Sequence, residues 1–359
     1  MTAKGSDAPR DFASNDYLGL RNDPRLVRAA TDAAEEFGLG SGASALISGR
    51  TSIHAELEET IARFEDAEAA LIFPTGYAAN LGTVAALADA GTTVFCERHN
   101  HACLVDGCRL GGGELHFFRR DRLDALDDAL RRASGPRLIV IDGVFSMEGE
   151  IAPLAAVCDL ADRHDAWVVV DEAHGTGVLG DRGRGAAEAC GVTDRIAVRT
   201  GTLSKASGCQ GGFVVGSRTL IDHLWHTART QIYSTALAVP TAAAALEAIE
   251  IIRGEPDLPA RCRGNARRMR TLLAAREVTT GGHCDVPIVP INVGEPARAV
   301  EAATRLNEHG FAVAAIRPPT VPRGTSRLRI SVSAAHTEDE LTRLADAVAE
   351  TLAPTGAAR

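Results

Sequence analysis

The sequence lacks several features that mark common functional classes. It has no excess of positive charge, because 38 Lys and Arg residues are outnumbered by 47 Asp and Glu residues, which gives a net charge of −9. A negative chain is a poor match for nucleic acid or an anionic membrane surface as its main partner. It also has no apolar run near the roughly 20 residues that a membrane-spanning helix needs. We therefore expect a protein that binds neither nucleic acid nor membrane.

Cysteine pairs at metal-binding or redox spacing are also absent. The eight cysteines are scattered and no two form a C-x-x-C, which excludes zinc ribbons and thioredoxin-type motifs. Scattered thiols are typical of reduced proteins of the cytosol, and the polar segment from Met1 to Asp11 has no apolar signal core. His99 and His101 together are too sparse a pattern for a metal site. We expect a cytoplasmic protein with no metal.

Apolar runs alternate with segments of helical spacing through most of the chain. In the helical segments, Ile53, Leu57 and Ile61 recur at steps of four and so fall on one face. Uniformly apolar strands separated by helices predict an α/β fold with a mainly parallel sheet covered on both faces. The predicted strands are Ala69–Phe73, Leu115–Phe118, Leu138–Ile141, Trp167–Val170 and Phe213–Val215.

A domain boundary is predicted at Gly254–Pro259, where Gly and Pro interrupt a helix rich in Ala and Ile. Strand-like runs at Pro287–Val293, Phe311–Ala315 and Arg327–Val332 follow, and then a helical pattern from about Thr337 to Leu352. These indicate a smaller α+β domain at residues 254–359. We expect residues 41–253 to form the large, ligand-binding domain and residues 1–40 to pack with the small one.

The first chemical signal is a carboxylate at a strand end. The apolar run Trp167–Val170 leads directly into Asp171, and His174 follows three residues later. Ligands of open α/β sheets bind beyond the carboxyl ends of the strands. A carboxylate there can keep a pyridinium nitrogen protonated, which makes the ring of such a cofactor an electron sink. A helix-capping role is the competing interpretation of Asp171 alone.

The second signal is Lys205, which lies in a loop of small residues before the predicted strand Phe213–Val215. A partly desolvated lysine is a nucleophile toward an aldehyde, and Thr202 and Ser204 supply hydroxyl groups nearby. The phosphate loop of a nucleotide enzyme is excluded, because it requires G-x-x-x-x-G-K-[ST] and Ala206 follows the lysine. We predict that Lys205 carries pyridoxal phosphate as a Schiff base.

Three further segments fit such a cofactor. Gly76 and Tyr77 open a helix after a strand, where free amides can bind phosphate, although a plain turn would have the same pattern. Ser146 follows the strand that ends at Ile141 and could hydrogen-bond a ring oxygen, or could simply form a turn. The ring of His101 could lie over a flat cofactor.

With these motifs in this order, the sequence resembles the α-oxoamine synthases, which are fold-type I pyridoxal-phosphate enzymes. The likeness extends from about Ala13 to the C-terminus. The matching stretches are SNDYLGL, GSGASALISG, TGYAAN, FSMEGEIAPL, VVVDEAHGTGVLG, the TLSK loop, IYSTAL and AIRPPTVPRGTSRLR. The resemblance implies a large cofactor-binding domain, a smaller α+β domain and a homodimer with shared active sites.

The resemblance also implies roles at the cofactor. Lys205 would form the internal aldimine and move protons, and Asp171 would pair with the pyridine nitrogen. His174 and Ser146 would contact the ring hydroxyl, and His101 would stack on the ring. The phosphate would be bound by Gly76, Tyr77 and Thr202. Ser234 and Thr235 would reach the phosphate that is bound in the partner subunit.

On the substrate side, the resemblance implies that Asn15 and Arg317 bind the carboxylate of the amino acid and that Thr320 lines the acyl side. Within the family the likeness is greatest to the members of biotin synthesis, which join L-alanine to a pimeloyl thioester of acyl carrier protein or coenzyme A with loss of carbon dioxide. No residue matches the arginine that lies near the acyl carboxylate in relatives.

Other activities stay open. Sister enzymes of the family are glycine C-acetyltransferase, 5-aminolevulinate synthase and serine palmitoyltransferase, and the run R-P-P-T-V-P favours the biotin-type enzyme over them. A nicotinamide-dependent dehydrogenase would need G-x-G-x-x-G after an early strand, whereas GSGASA has no clear strand before it. A non-catalytic pyridoxal-phosphate-binding protein is the remaining alternative.

Overall fold

The structure, a computed structural model, describes residues 8–353 and divides them into two units. The larger unit comprises Gly19–Phe145 and Ala152–Pro256. The smaller unit comprises the described residues up to Leu18, Ser146–Ile151 and those from Asp257 onward. Numbered in chain order, the strands are β1 Arg10–Asp11, β2 Ala69–Phe73, β3 Thr93–Glu97, β4 Glu114–Phe118, β5 Arg137–Asp142, β6 Ala166–Asp171, β7 Val198–Thr202, β8 Gly212–Gly216, β9 Ile288–Gly294, β10 Phe311–Ala312, β11 Ala314–Ile316 and β12 Ser326–Ser331.

The α-helices of the described residues are numbered in the same way. They are α1 Pro24–Phe37, α2 Ser52–Glu65, α3 Gly76–Leu87, α4 Ala102–Gly111, α5 Leu123–Arg132, α6 Leu154–His164, α7 Ala186–Ala189, α8 Arg218–Thr227, α9 Arg229–Ile232, α10 Val239–Gly254, α11 Asp257–Ala274, α12 Pro296–Glu308 and α13 Glu338–Leu352. Within residues 8–353, none of these helices is long and apolar enough to cross a membrane.

The division differs from the one expected for residues 1–40. Residues up to Leu18 fall in the smaller unit, but α1 falls in the larger unit because it packs along α10. Ala33 of α1 is buried against Val239 and Ala243 of α10. An amphipathic helix is placed by the apolar surface that its buried face covers, here the alanine-rich face of α10.

The larger unit is built on a seven-stranded sheet in the order β2-β8-β7-β6-β5-β3-β4. Strand β8 runs antiparallel to β2 and β7, and the other neighbouring pairs are parallel. This confirms the α/β fold with a mainly parallel sheet. The apolar core includes Val140, Val169 and Val214 of the central strands, together with residues of α3, α4 and α8.

The sequence does not predict β3 and β7, and the reason lies in their composition. Strand β3 ends in Glu97, and β7 contains Arg199 between its Val and Thr residues. Both charged side chains are buried, and Arg199 donates to Glu65 of α2 over 2.7 Å. Because a buried charged side chain interrupts the apolar pattern of each strand, a search for uniformly apolar strands overlooks both.

The smaller unit has an antiparallel sheet in the order β11-β12-β9 and a short parallel pair of β1 with β10. Helices α11, α12 and α13 pack on this sheet around Met269, Leu328, Ile330 and Leu344. Helix α13 begins with a capping box between Thr337 and Glu340, as a Thr three residues before a Glu favours. This is an α+β arrangement.

Candidate active site

Three polar residues lie in register on neighbouring strands of the larger unit, two of them at strand ends. Asp142 ends β5 and pairs in register with Asp171 at the end of β6, and Asp171 pairs with Thr200 of β7. All three side chains are buried. The carboxyl ends of parallel strands form the edge at which α/β proteins bind ligands. The register therefore gathers two carboxyl groups and a hydroxyl at one place on that edge.

Asp171 is held in one orientation by donors on both of its oxygens. Asn80 of α3 donates to Oδ2 over 2.6 Å, and the backbone N–H of Ala173 donates to Oδ1 over 2.8 Å. Thr200 in turn donates to the Asn80 side-chain oxygen over 2.5 Å. Sequence reasoning missed Asn80, although it ends the matched stretch TGYAAN. The sequence signal for Asn80 is that it is a polar residue on the otherwise apolar, buried face of α3.

Asp142 differs from Asp171 in its surroundings. Burial and the nearby charge of Asp171 raise the pKa of Asp142 well above its ordinary value. The side chain of Asn100 accepts a hydrogen bond from the Asp142 backbone N–H over 2.9 Å and donates to the Val140 carbonyl over 2.8 Å. A neutral carboxyl group beside the Asp171 carboxylate avoids repulsion between two buried charges. Sequence reasoning did not single out Asp142 or Asn100.

Lys205 lies in the loop between β7 and β8, and its Nζ is 3.1 Å from Nε2 of His174. The loop is closed by hydrogen bonds from the Leu203 N–H to the Gly211 carbonyl and from the Cys209 N–H to the Leu203 carbonyl. The chain has two lysines, and the other one, Lys4, falls outside the described residues. Counting lysines would therefore have singled out Lys205 from the sequence.

A group of hydroxyls and amides lies where β7 ends and α3 begins. Thr202 and Ser204 share a hydrogen bond of 2.7 Å between their hydroxyl oxygens. Gly76 approaches Thr202 so closely that a Cβ at Gly76 would lie 2.9 Å from the threonine hydroxyl. The N–H groups of Gly76 and Tyr77 belong to the first helical turn, where the helix offers them no acceptor. Such a turn is suited to binding phosphate.

His101 precedes α4 and caps its N-terminus. Its backbone N–H donates to Oδ2 of Asp142 over 3.1 Å. Its ring lies edge-on to that of Tyr77, with 6.5 Å between the ring centroids. Desolvation lowers the pKa of His101, and the negative charge of Asp171 raises it by a smaller amount. His101 is thus brought together with Asp142, Asp171 and Tyr77, as the sequence predicts for His101 and Asp171.

Ser234 and Thr235 lie elsewhere in the larger unit, just beyond α9. Thr235 is exposed and forms an isolated antiparallel bridge with Ser44. Neither residue has a hydrogen bond to the strand-end group within the described chain. Their expected contact with a partner subunit therefore stays a prediction.

In the smaller unit, Asn15 lies beside an arginine that the sequence analysis did not single out. Arg329 of β12 is 4% exposed and donates from Nη2 to Oδ1 of Asn15 over 3.1 Å. Its other donors reach the Ser146 carbonyl over 2.7 Å and the Ser331 hydroxyl over 2.7 Å. No carboxylate of residues 8–353 forms an ion pair with Arg329. A buried guanidinium without an acidic partner is suited to bind an anionic ligand.

Arg317 and Thr320 lie beyond β11 in the smaller unit. Both are exposed, and the Thr320 N–H donates to the Arg317 carbonyl over 3.1 Å. No hydrogen bond joins the side chains of Asn15 and Arg317 among residues 8–353, and Asn15 instead accepts from Arg329. Ser146 also belongs to the smaller unit, where its carbonyl accepts from Arg329. Both arginines lie in the stretch AIRPPTVPRGTSRLR, so the missed signal was the second arginine of its final S-R-L-R.

The residues at the edge of the larger unit fit pyridoxal phosphate by their chemistry. Lys205 is an amine that can bond to the aldehyde, and Asp171 is a fixed carboxylate that can pair with a pyridinium nitrogen. Gly76, Tyr77 and Thr202 offer amides and a hydroxyl for a phosphate. Within the described part of the larger unit, these donors and acceptors lie on β6, β7 and α3 or next to them.

Comparisons with known proteins agree with this chemistry. The family model for class I and II aminotransferases matches residues 10–348. The 8-amino-7-oxononanoate synthase of Alkalilimnicola ehrlichii is 47% identical over 343 residues, 95% of this chain and 88% of that protein. A high-resolution structure of serine palmitoyltransferase with its PLP internal aldimine is 33% identical and superposes with a TM-score of 0.93. The alignment covers 96% of this chain and 87% of that one.

A second similar structure is the crystal structure of 8-amino-7-oxononanoate synthase from Francisella tularensis. It is 27% identical with a TM-score of 0.81, and the alignment covers 96% of this chain and 98% of that one. The chain belongs to the class I and II aminotransferase family. The resemblance to α-oxoamine synthases is confirmed, as are the fold-type I architecture, the assignment as an enzyme and pyridoxal phosphate as the cofactor.

Proposed function

We propose that this protein is an acyltransferase that condenses L-alanine with a pimeloyl thioester, with loss of carbon dioxide, to form 8-amino-7-oxononanoate for biotin synthesis. The observation that supports this most is the pairing of Lys205 and His174 at the strand-end group, in a chain 47% identical to a synthase of that name. Bound pyridoxal phosphate would supply an electron sink for the charge left when the amino acid loses a proton.

Within this proposal, the larger unit holds the cofactor. Asp171 would pair with the pyridine nitrogen and keep it protonated, and Asn80, itself bonded by Thr200, holds the Asp171 carboxylate in one orientation. The other contacts follow the sequence prediction: His174 and Ser146 to the ring hydroxyl, His101 over the ring, Gly76, Tyr77 and Thr202 to the phosphate, and Ser234 and Thr235 to the phosphate of the partner subunit in a homodimer.

Lys205 is the proposed proton carrier. Its Nζ accepts the α-proton of alanine and later returns a proton to the product carbon. His174 lies 3.1 Å from that nitrogen and so can hold it in position between the two transfers. A positioned base of this kind accelerates proton transfer about 10²–10⁴-fold. We place this chemistry in the cytoplasm.

For the amino-acid carboxylate we favour Arg329 with Asn15 over the expected pair Arg317 and Asn15. Arg329 is buried, in contact with Asn15 and without an acidic partner among the described residues. Its planar guanidinium can donate two parallel hydrogen bonds to a carboxylate. Arg317 and Thr320, which are exposed, then belong to the side that meets the acyl chain and its carrier, either acyl carrier protein or coenzyme A.

A serine palmitoyltransferase type of activity is the second candidate. It is favoured by the higher TM-score of the serine palmitoyltransferase structure, 0.93 against 0.81 for the Francisella tularensis synthase. Structural likeness is a weaker guide to substrate than sequence identity, because one fold carries several activities. The 47% identity to a curated 8-amino-7-oxononanoate synthase therefore decides the order of the two candidates.

The deciding experiment offers the purified holoenzyme paired substrates. We expect carbon dioxide and 8-amino-7-oxononanoate from L-alanine with pimeloyl-coenzyme A or pimeloyl-acyl carrier protein. The parallel arms contain glycine with acetyl- or succinyl-coenzyme A and serine with palmitoyl-coenzyme A. Turnover confined to one of those arms would assign the chain to that sister activity, and turnover in none would overturn the proposal.

The attachment site can be tested separately because the chain has two lysines. We expect borohydride reduction of the holoenzyme to fix the cofactor on the peptide that contains Lys205. The Lys205→Ala variant should lose this label and at least about 10³-fold of its turnover. Lys4→Ala is the matched control and should keep both. Label on Lys4, or an active Lys205→Ala variant, would contradict the assignment.

A further inference from the structure

His101 faces two hydrogen-bond donors that both belong to Cys103. The backbone N–H of Cys103 lies 3.3 Å from the His101 ring nitrogen Nδ1, and the Cys103 Sγ lies 2.9 Å from the same nitrogen. A backbone N–H can only donate, so Nδ1 must offer its lone pair. The ring proton of neutral His101 therefore belongs on Nε2.

The thiol acts in the same direction as the backbone. Cys103 is 1% exposed, and burial, together with the charge of Asp171, raises the pKa of its thiol. The thiol thus keeps its proton and donates it to Nδ1. Burial also lowers the pKa of His101. Geometry and environment both favour a neutral imidazole with an unprotonated Nδ1.

The backbone at His101 is fixed independently of its ring. The His101 N–H donates to Asp142, and Asn100 is bonded to both the Val140 carbonyl and the Asp142 N–H. These contacts fix the backbone of Asn100 and His101 against the end of β5 but do not determine the orientation of the imidazole ring. The hydrogen bonds from Cys103 to Nδ1 are what fix the ring.

The charged and titratable groups around His101 do not by themselves decide its state. Asp171 at the end of β6 and Asp106 of α4 favour the protonated ring, whereas Lys205 of the loop after β7 opposes it. Asp142 of β5 contacts the backbone of His101, and Tyr77 of α3 lies edge-on to the ring. Since the charges oppose one another, hydrogen bonding at Nδ1 and burial decide the protonation state.

We propose that Cys103 is a positioning residue for the reaction, and that it holds His101 as the neutral tautomer with its proton on Nε2. Nε2–H is then a fixed hydrogen-bond donor for an oxygen of the substrate. This rests on the proposed function for the identity of the substrate, whereas the tautomer is a property of the chain itself.

The test is the two-bond ¹H–¹⁵N correlation spectrum of the holoenzyme labelled with ¹⁵N-histidine, with the His101 signal assigned by its loss in His101→Gln. We expect the Nε2–H pattern at neutral pH, because burial lowers the pKa of His101. In Cys103→Ala the pKa of His101 should rise by roughly one unit, because a hydrogen bond to the neutral ring is lost. Cys103→Ser should restore the wild-type spectrum, because a hydroxyl also donates.

Cys108→Ala is the matched control, because it removes another buried thiol from the same helix. It should leave the His101 signal unchanged. The acid limb of the pH profile of kcat/KM should move upward in Cys103→Ala and not in Cys103→Ser or Cys108→Ala. These kinetic arms use whichever substrates the holoenzyme turns over.

Two results would overturn the inference. One is an Nδ1–H pattern for His101 in the wild-type protein. The other is an unchanged His101 signal in a Cys103→Ala variant that keeps the absorbance of its cofactor. If the expected spectra appear but alanine and pimeloyl thioester give no product, the proposed function fails while the role of Cys103 in fixing the tautomer stands.

Discussion

Two arginine regions of the smaller unit come from one sequence stretch and differ in almost every physical respect. Arg329 lies within β12, is 4% exposed and donates to a carbonyl, a hydroxyl and the side chain of Asn15. Arg317 lies beyond β11, is exposed and has its carbonyl bonded by the Thr320 N–H. One guanidinium is fixed by the fold, whereas the other is in solvent.

The difference teaches which part of a substrate each region can recognise. A guanidinium that the fold already orients loses little conformational entropy when a carboxylate binds to it. An exposed arginine must be ordered by the ligand, at a cost that its hydrogen bonds have to offset. The fixed region therefore suits the carboxylate of a small amino acid, and the exposed region suits a larger and more variable acyl group.

Of the changes that test this comparison, Arg329→Lys has the largest expected effect. Lysine lacks the planar fork of donors, so we expect kcat/KM for L-alanine to fall by about 10²-fold, mainly through KM. The carbonyl of Ser146 and the side chain of Asn15 also lose their donor, which should lower the thermal midpoint. Steady-state kinetics with alanine varied and a thermal melt of the same preparation measure the two effects.

Arg327→Lys is the control for that variant. Arg327 also lies on β12 and donates to the Met147 carbonyl and the Glu148 side chain. It should lower the thermal midpoint as Arg329→Lys does but leave KM for alanine unchanged. Equal KM changes in the two variants would reduce the role of Arg329 to structural support.

A smaller effect concerns the segment that carries Asn15. His336 accepts from the Ser333 N–H over 3.0 Å, bonds the Asp11 carbonyl over 2.9 Å and stacks on Phe12. Desolvation lowers the pKa of His336 from 6.5 to about 4. The unfolded chain takes up this proton at a higher pH than the folded chain. The stability that His336 provides is therefore present above pH 6.5 and is lost as the pH falls toward 4.

As the pH falls from 6.5 to 4, the loss of the His336 contribution should lower the free energy of unfolding by about 3 kcal/mol. We expect the thermal midpoint of the wild-type protein to decline between about pH 6.5 and 4 more steeply than that of His336→Asn. His309→Asn, which removes an exposed histidine of the same unit, should decline as the wild type does. Parallel curves for all three proteins would refute the role of His336 in anchoring the segment near Asn15.

The fold of the larger unit could be predicted where strands are uniformly apolar. The predicted strands at Ala69–Phe73 and Trp167–Val170 lie within β2 and β6. Strand β7 could not be predicted in that way, because it contains Arg199, whose partner Glu65 lies on α2. Pairing between residues far apart in the chain is invisible to a search for local periodicity.

The candidate site shows the same limit. Sequence order was enough to single out Lys205, Asp171 and His174, because each follows or precedes an apolar strand. Asn80 could not be found in this way, because its role depends on the face of α3 that meets Asp171. The choice between Arg317 and Arg329 likewise depends on burial, which two arginines in one stretch do not reveal.

The smallest expected effect, Arg317→Lys, is also the sharpest test of the comparison. An exposed cation replaced by another cation should leave the thermal midpoint unchanged, since exposed charges contribute about 0–1 kcal/mol. KM for alanine should change by less than about threefold, because Arg329 already binds the carboxylate. KM for the pimeloyl thioester should change instead, and varying each substrate in turn separates the two KM values. If Arg317→Lys instead raised KM for alanine about 10²-fold and Arg329→Lys did not, the exposed arginine would be the carboxylate residue, and burial in the free protein would be a poor guide to substrate binding in this chain.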